Sequence, residues 1–245
     1  MTQPLLVELD YSQIELRVLA SISRDERLIA TFLSPEADPH TDTAKVVFGV
    51  PQPTSEQRRI AKIVNFSIAY DVQPQGLWAQ IESHNPGVWT LAQCAEMIAA
   101  HNNEHPGVVQ YKTACRLEAR KYGYVTGLWG ERLYVPEIYS RREYIRAEAE
   151  RKAINFKIQR GAQTIIRRAM GVIYAYLRAG YLLESYRPVL QIHDSLLFET
   201  DPETHKEVTP VVKCLMETAT QLESGIPILV AVKAGRSLGE MEEMK

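Results

Sequence analysis

Apolar residues gather in short runs at the two ends of the chain and recur at helical spacing through its middle. Leu5 to Leu9 predicts a buried strand ending at Asp10, and Ile14 to Ile22 then carries apolar residues at helical spacing. Pro53-Thr54-Ser55-Glu56 is a helix start signal that leads into Ile60, Ile63, Val64 and Ile68, with Arg58 and Lys62 on another face. Residues 90–104 and 106–122 read as helices divided by Pro106-Gly107, and 122–135 as a hairpin around Gly127 to Gly130. Helical spacing resumes over 141–177. Pro188 to Ile192 and Leu196 to Glu199 flank the polar turn His193-Asp194-Ser195 and predict a β-hairpin. A helix over 203–221 and a last strand from Ile226 to Val232 complete the pattern. Strands at both ends with helices between predict an α+β fold in which the two ends meet in one sheet. With no repeat or linker in evidence, the helical middle reads as an insertion between sheet strands.

This pattern gives two acids special positions. Asp10 ends a strand and Asp194 occupies a tight turn, so neighbouring strands would bring two hard oxygen ligands together despite their separation in sequence. Phosphoryl transfer with two divalent ions needs such a pair, although an aspartate at a strand end is more often a turn or cap residue.

Composition narrows the classes. The chain has 245 residues, 45% of them hydrophobic, and no apolar run approaches the ~18 residues that span a bilayer, so no membrane partner is expected. The start of the sequence lacks a basic, then apolar, leader, and Cys94, Cys115 and Cys214 are odd in number and widely spaced. Both fit a cytoplasmic protein whose thiols are reduced packing residues. A net charge of −2 does not advertise nucleic-acid binding. Basic residues nevertheless cluster, in Arg58-Arg59-Lys62, in Arg141-Arg142-Arg146-Arg151-Lys152 and in Lys157-Arg160-Arg167-Arg168. Each cluster reads either as a solvated helix face or as part of a local basic cleft.

Asp10 to Arg17, Asp-Tyr-Ser-Gln-Ile-Glu-Leu-Arg, resembles the first palm motif of the family A DNA polymerases. Arg58 to Tyr70 resembles the fingers helix of that family, with Arg58, Lys62, Phe66 and Tyr70 each four residues apart. Gln191-Ile-His193-Asp194 is similar to the last palm motif, and Arg151 to Gln159 to the segment that touches the primer-template duplex. Weaker similarity runs through Asp38-Pro-His40, Val47-Phe-Gly49 and Tyr122 to Tyr134. The resemblance implies an antiparallel palm sheet with a helical fingers subdomain inserted between the first and last palm motifs. Residues 1–50 and 121–245 would form the palm and 51–120 the fingers.

Carried over residue by residue, the resemblance implies that Asp10, Asp194 and the Tyr11 carbonyl bind two magnesium ions, for which manganese can substitute. Arg58 and Lys62, with His40 nearby, would hold the triphosphate of an incoming deoxynucleotide, and Lys62 would protonate pyrophosphate. Phe66 would stack on that nucleotide, Tyr70 would close the pocket, Glu15 would block a ribose 2′-hydroxyl, and Gln13 joins the same nucleotide-binding set. Arg151, Asn155 and Gln159 would meet the minor groove of primer-template DNA, and His193 would orient the turn or the primer terminus. Without the motifs, Arg58 and Lys62 read as a solvated face, Phe66 and Tyr70 as core, and Glu15 as a solubilising surface residue.

Three positions depart from the family pattern. Ser67 and Asp71 stand where glycine is usual, which predicts a different local backbone, and Ser195 replaces the glutamate that usually follows the last-motif aspartate. The family's thumb and exonuclease-like domains normally precede the first palm motif, yet only nine residues precede Asp10. The expectation is therefore a split or truncated enzyme whose thumb lies on a separate chain in a phage-type replicon. A non-catalytic DNA-binding paralogue is the alternative, and an RNA polymerase of the same superfamily a third, against which Glu15 argues.

Overall fold

The structure is a computed structural model that describes residues 4–34, 38–84 and 86–244. Its first elements are β1 (Leu5–Tyr11), α1 (Ile14–Ser23), α2 (Glu26–Leu33), α3 (Pro39–Phe48) and α4 (Ser55–Ala69). There follow α5 (Pro74–Glu82), α6 (Leu91–Glu104), α7 (Pro106–Tyr122), β2 (Tyr124–Thr126) and β3 (Arg132–Tyr134). After these come α8 (Glu143–Ala179), β4 (Tyr186–Ile192), β5 (Ser195–Thr200), α9 (Pro202–Thr218), β6 (Val230–Gly235) and β7 (Glu242–Glu243). The chain packs as two compact units, one formed by residues 1–14 and 162–245, the other by 15–161.

The architecture is α+β, and the two ends of the chain do meet in one sheet. The first unit holds an antiparallel sheet of order β4-β5-β1-β6-β7, with β1 at its centre. Side chains alternate across a strand, so paired residues share a face. Val7, Leu9 and Tyr11 of β1 are buried and stand beside Phe198 and Leu196 of β5. On this face the Tyr11 hydroxyl donates to the Met216 carbonyl of α9 at 2.9 Å, and the Tyr186 hydroxyl lies 2.9 Å from Thr209 Oγ1 of the same helix. Helix α9 thus covers the apolar face. It starts where Asp201 accepts from the amides of Glu203 and Thr204 and where Pro202 has no amide to satisfy.

In the second unit, α4 begins with a reciprocal capping box between Thr54 and Gln57. It is fastened to α3 by Asn65, which accepts from Thr43 Oγ1 at 2.8 Å and donates to the Pro39 carbonyl at 3.2 Å. Strands β2 and β3 pair antiparallel, and Val125 and Val135 join Ala119, Ile138, Ala149 and Ala153 in a buried cluster.

Several expectations shift. The strand expected from Ile226 to Val232 as the last is β6, which runs from Val230 to Gly235, because Pro227 has no amide for a ladder and Leu229 spends its carbonyl on the amide of Ser12; the short β7 follows it. The helix expected over 203–221 ends at Thr218. Cys94 and Cys115 are buried, but Cys214 is exposed and does not serve as a packing residue. Among the described residues no helix is long and apolar enough to cross a membrane.

Phe198 is 1% exposed and its ring lies 4.9 Å from that of Tyr186. Phe198→Ala should lower the unfolding free energy by about 3–5 kcal/mol in urea denaturation, the usual cost of emptying a buried aromatic site. A change within ~0.5 kcal/mol would mean that this face is not packed as described.

Candidate active site

The polar face of the central sheet carries the acids. Glu8 and Asp10 lie two residues apart on β1, opposite to Val7 and Leu9, so the alternation that fully buries the one set leaves the other half-buried on the opposite face. Asp10 pairs with Ser195 of β5 and with Ala231 of β6, and Glu8 with Leu197 and Lys233. Asp194 sits beside them in the two-residue turn between β4 and β5. His193, the other turn residue, takes φ +52°, a left-handed conformation that lets the hairpin close. The Tyr11 amide donates to the Asp194 carbonyl at 3.2 Å and ties the end of β1 to the turn. Two acids far apart in sequence are therefore brought together, one near the end of β1 and one in the turn that leads into its neighbour β5.

The electrostatics agree. The Asp10 carboxyl is pushed up by burial first, then by the charges of Asp194 and Glu8, with Lys233 opposing. Asp10 Oδ1 is buried and has no hydrogen-bond partner. Such an oxygen is costly unless something cationic satisfies it, so the donor set fits a hard divalent ion. Among the described residues no group of three His, Cys, Asp or Glu side chains that could hold a metal ion converges, so the candidate metal centre rests on the carboxylate pair.

In the second unit, Arg58, Lys62, Phe66 and Tyr70 follow one another at four-residue spacing along α4 and its C-terminal cap. Arg58 and Lys62 are exposed, Phe66 and Tyr70 half-buried. Arg58 Nε is held 2.6 Å from Asp38 Oδ2, an ion pair that the basic pattern did not reveal. Burial alone would raise the Asp38 carboxyl, but hydrogen bonds from Arg58 and Thr41 outweigh it and hold the group down at about 2. The Tyr70 hydroxyl donates to the Glu15 carboxylate, so these two members of the expected nucleotide pocket do come together.

His40 is 3% exposed, lies 3.1 Å from Asn65 Nδ2 and has its ring 6.0 Å from that of Phe66. Burial holds its pKa down at about 4, Asp38 pulling the other way and Arg58 and Lys62 reinforcing the drop. It is therefore neutral near pH 7 and adds no positive charge to Arg58 and Lys62, only a ring nitrogen.

On α8, Arg151, Asn155 and Gln159 share one stripe, and Asn155 Oδ1 is buried without a partner. The basic clusters are less cationic than their sequence suggests. Lys157 pairs with Glu118 at 2.6 Å, Lys152 with Glu148 at 2.9 Å, and Arg160 with Glu131 at 3.5 Å. Gln13 takes φ +56° in the turn after β1, and His193 is exposed with its carbonyl accepting from Gln191.

The departures in the α4 region behave unexpectedly. Ser67 is buried inside a regular helix and donates to Gln80 at 2.9 Å. Asp71 takes φ +57°, the left-handed conformation open to glycine, so the local backbone does not have to differ. Its carboxylate is met by Arg116 at 2.5 Å and Lys112 at 3.4 Å. Sequence reasoning also missed Asn65, Glu8 and Lys233. An acid two residues before Asp10 was the one legible signal, since period two puts both on one face.

The first unit thus carries an acidic pair at one end of its sheet, and the second a helix with exposed basic and half-buried aromatic residues. Residues 1–240 match DNA polymerase family A, and the chain belongs to that family. It is 41% identical to DNA polymerase I of Bacillus subtilis over 235 residues, 95% of this chain and 26% of that protein. It is 40% identical to DNA polymerase I of Geobacillus stearothermophilus, over 92% of this chain and 25% of that one. Among solved structures it resembles the POL domain of Pol1 from M. smegmatis, in complex with DNA primer-template and dNTP. That match has a TM-score of 0.85 and 34% identity, and covers 95% of this chain and 40% of that one. The chain thus spans about a quarter of the length of the curated relatives it matches.

His40 should titrate near 4 by NMR, where an ordinary histidine titrates near 6.5. Its folded pKa lies below its unfolded one, so between those values the unfolded chain binds more protons and stability falls as pH drops. His40→Gln should flatten that slope between pH 6.5 and 4. A His40 midpoint near 6.5 would show a ring open to solvent.

Proposed function

We propose that this chain supplies the catalytic part of a template-directed DNA polymerase, adding deoxynucleotides to a primer terminus. The observation that carries this reading is Asp10 near the end of β1 beside the β4–β5 turn that holds Asp194, with Asp10 Oδ1 buried and unpartnered. Family membership turns that geometry toward nucleotidyl transfer. In this reading 1–50 and 121–245 act as palm and 51–120 as fingers.

Asp10 and Asp194, with the Tyr11 carbonyl, would hold two magnesium ions, or manganese in their place. When bound, the ions would make the primer hydroxyl a better nucleophile and offset charge on the reacting phosphate. Arg58 would turn from Asp38 toward the triphosphate, since a polyanion outcompetes a single carboxylate for a guanidinium. Lys62 would bind the same phosphates and give a proton to the departing pyrophosphate. Phe66 would stack on the incoming base, and Gln13 and the neutral His40 would offer hydrogen bonds to the nucleotide. Tyr70 would hold Glu15 by its hydroxyl, so that the carboxylate is fixed where a ribose 2′-hydroxyl would collide with it. Arg151, Asn155 and Gln159 would check minor-groove acceptors common to correct base pairs, a degenerate code that tests shape without reading sequence. The orphaned Asn155 Oδ1 supports a ligand-facing role. His193 would steady the primer terminus.

The relatives' segments outside the match would grip the duplex, in the same polypeptide or on the separate chain of a split, phage-type enzyme. The cytoplasmic setting belongs to the same proposal.

The test is extension of a recessed DNA primer with magnesium and deoxynucleotides. Templated addition should appear and should fall by at least about 10²-fold in Asp194→Ala, the scale of losing one charge-stabilising group. No addition, even with manganese at high protein concentration, would leave either a missing duplex-gripping partner or a non-catalytic paralogue that holds primer-template, for which Ser195 is the motivating observation. In the same assay Glu15→Ala should raise ribonucleotide use relative to deoxynucleotide by about 10- to 100-fold. Free ribonucleotide use by the unmutated chain would point instead to an RNA polymerase.

A further inference from the structure

The replacement of an acid by Ser195, next to Asp194, leaves the metal-binding face one carboxylate short of the family pattern. Across the ladder, however, Ser195 Oγ lies 2.9 Å from Glu8 Oε1. Ser195 is buried and belongs to β5, whereas Glu8 belongs to β1, two residues before Asp10 on the same face. The serine hydroxyl has one proton and two acceptors in reach, Glu8 Oε1 at 2.9 Å and the Ile192 carbonyl at 3.1 Å. A charged acceptor forms the stronger bond, so the proton goes to Glu8. Glu8 thereby stands on the same strand as Asp10, held to the residue that follows Asp194, and Lys233 faces it from β6.

We propose that Glu8 is a positioning residue that returns the missing negative charge to the metal centre from the neighbouring strand, with Ser195 as its holder. The inference rests on the reading of Asp10 and Asp194 as metal ligands. Glu8 is not assigned as a ligand, since no third side chain converges with them among the described residues. Its charge draws the cation toward Asp10, and its hydrogen bond to Ser195 fixes where that charge sits. Outer carboxylates of this kind orient and strengthen the inner ones. The roles of positions 8 and 195 are therefore exchangeable: a carboxylate at either suffices, provided that the other is a neutral hydrogen-bonding partner.

A merely structural Glu8 would act as the acceptor that staples β1 to β5. Glutamine keeps that acceptor and removes the charge, so Glu8→Gln separates the two roles. The measurement is Mn2+ binding to the full chain without nucleotide or DNA, by electron paramagnetic resonance of the free ion, in the unmutated protein, Asp10→Ala, Glu8→Gln and Glu8→Gln/Ser195→Glu. Metal-free thermal unfolding of each variant checks folding. Glu8→Gln should weaken Mn2+ binding by about tenfold with little change in metal-free unfolding. Adding Ser195→Glu in that background should restore binding to within about twofold of the unmutated chain, because the charge has only changed strands. Undiminished binding in Glu8→Gln, alongside loss in Asp10→Ala, overturns the inference and leaves the metal reading intact. So does a double variant as weak as the single one. Binding unaffected by Asp10→Ala, or absent from the unmutated chain, removes the metal reading and this inference with it.

Discussion

Because β1 hydrogen-bonds β5 on one side and β6 on the other, its seven residues cannot slide without turning every side chain to the wrong face. That register puts Val7, Leu9 and Tyr11 against α9 and, by the same alternation, puts Glu8 and Asp10 on the opposite face. The apolar half supplies the free energy that holds the polar half in place. Burial first, and then the acids crowded on the same face, raise the Asp10 carboxyl, and its Oδ1 is left without a donor, an arrangement no folding requirement would select. The cost is local and the packing that offsets it lies one residue away on the same strand.

Much of this was legible because short-range rules and long-range motifs agreed. The strand before Asp10, the turn at Asp194 and the start of α4 at Thr54 all follow from local chemistry: an apolar run, a polar interruption and a capping box. Helices α2 and α3 went unread although each has an aspartate cap, Asp25 and Asp38, because they are short and lie between stronger signals. The start of β6 was misplaced because Ile226 and Ile228 are buried without being in a ladder. Burial and strand pairing leave the same mark on a sequence.

The candidate site was legible in its charged residues and less so in their partners. A basic residue announces itself, but the acid that neutralises it lies elsewhere in the chain. Asp38 against Arg58, Glu118 against Lys157 and Glu131 against Arg160 needed the fold. His40 is the sharpest case: nearby in sequence to Asp38 and close to two cations, it reads as a third charge, yet burial leaves it neutral. Asp71 shows the converse. A residue that departs from glycine keeps glycine's backbone conformation, because aspartate tolerates the left-handed region and two cations take up its charge.

The ion pairs at the two ends of α4 are unlike. Near its start, Arg58 meets Asp38 with about half of the arginine side chain open to solvent, at 49%. Just past its end, Asp71 is only 10% exposed and is shared by Arg116 and Lys112. Dissolved salt screens the first pair and barely reaches the second. The helix is thus fastened asymmetrically, by a latch at one end that another anion can open and by a rivet at the other that ionic strength leaves alone. An anion that displaces Asp38 from Arg58 removes the outer fastening and leaves the ion pairs of Asp71 in place.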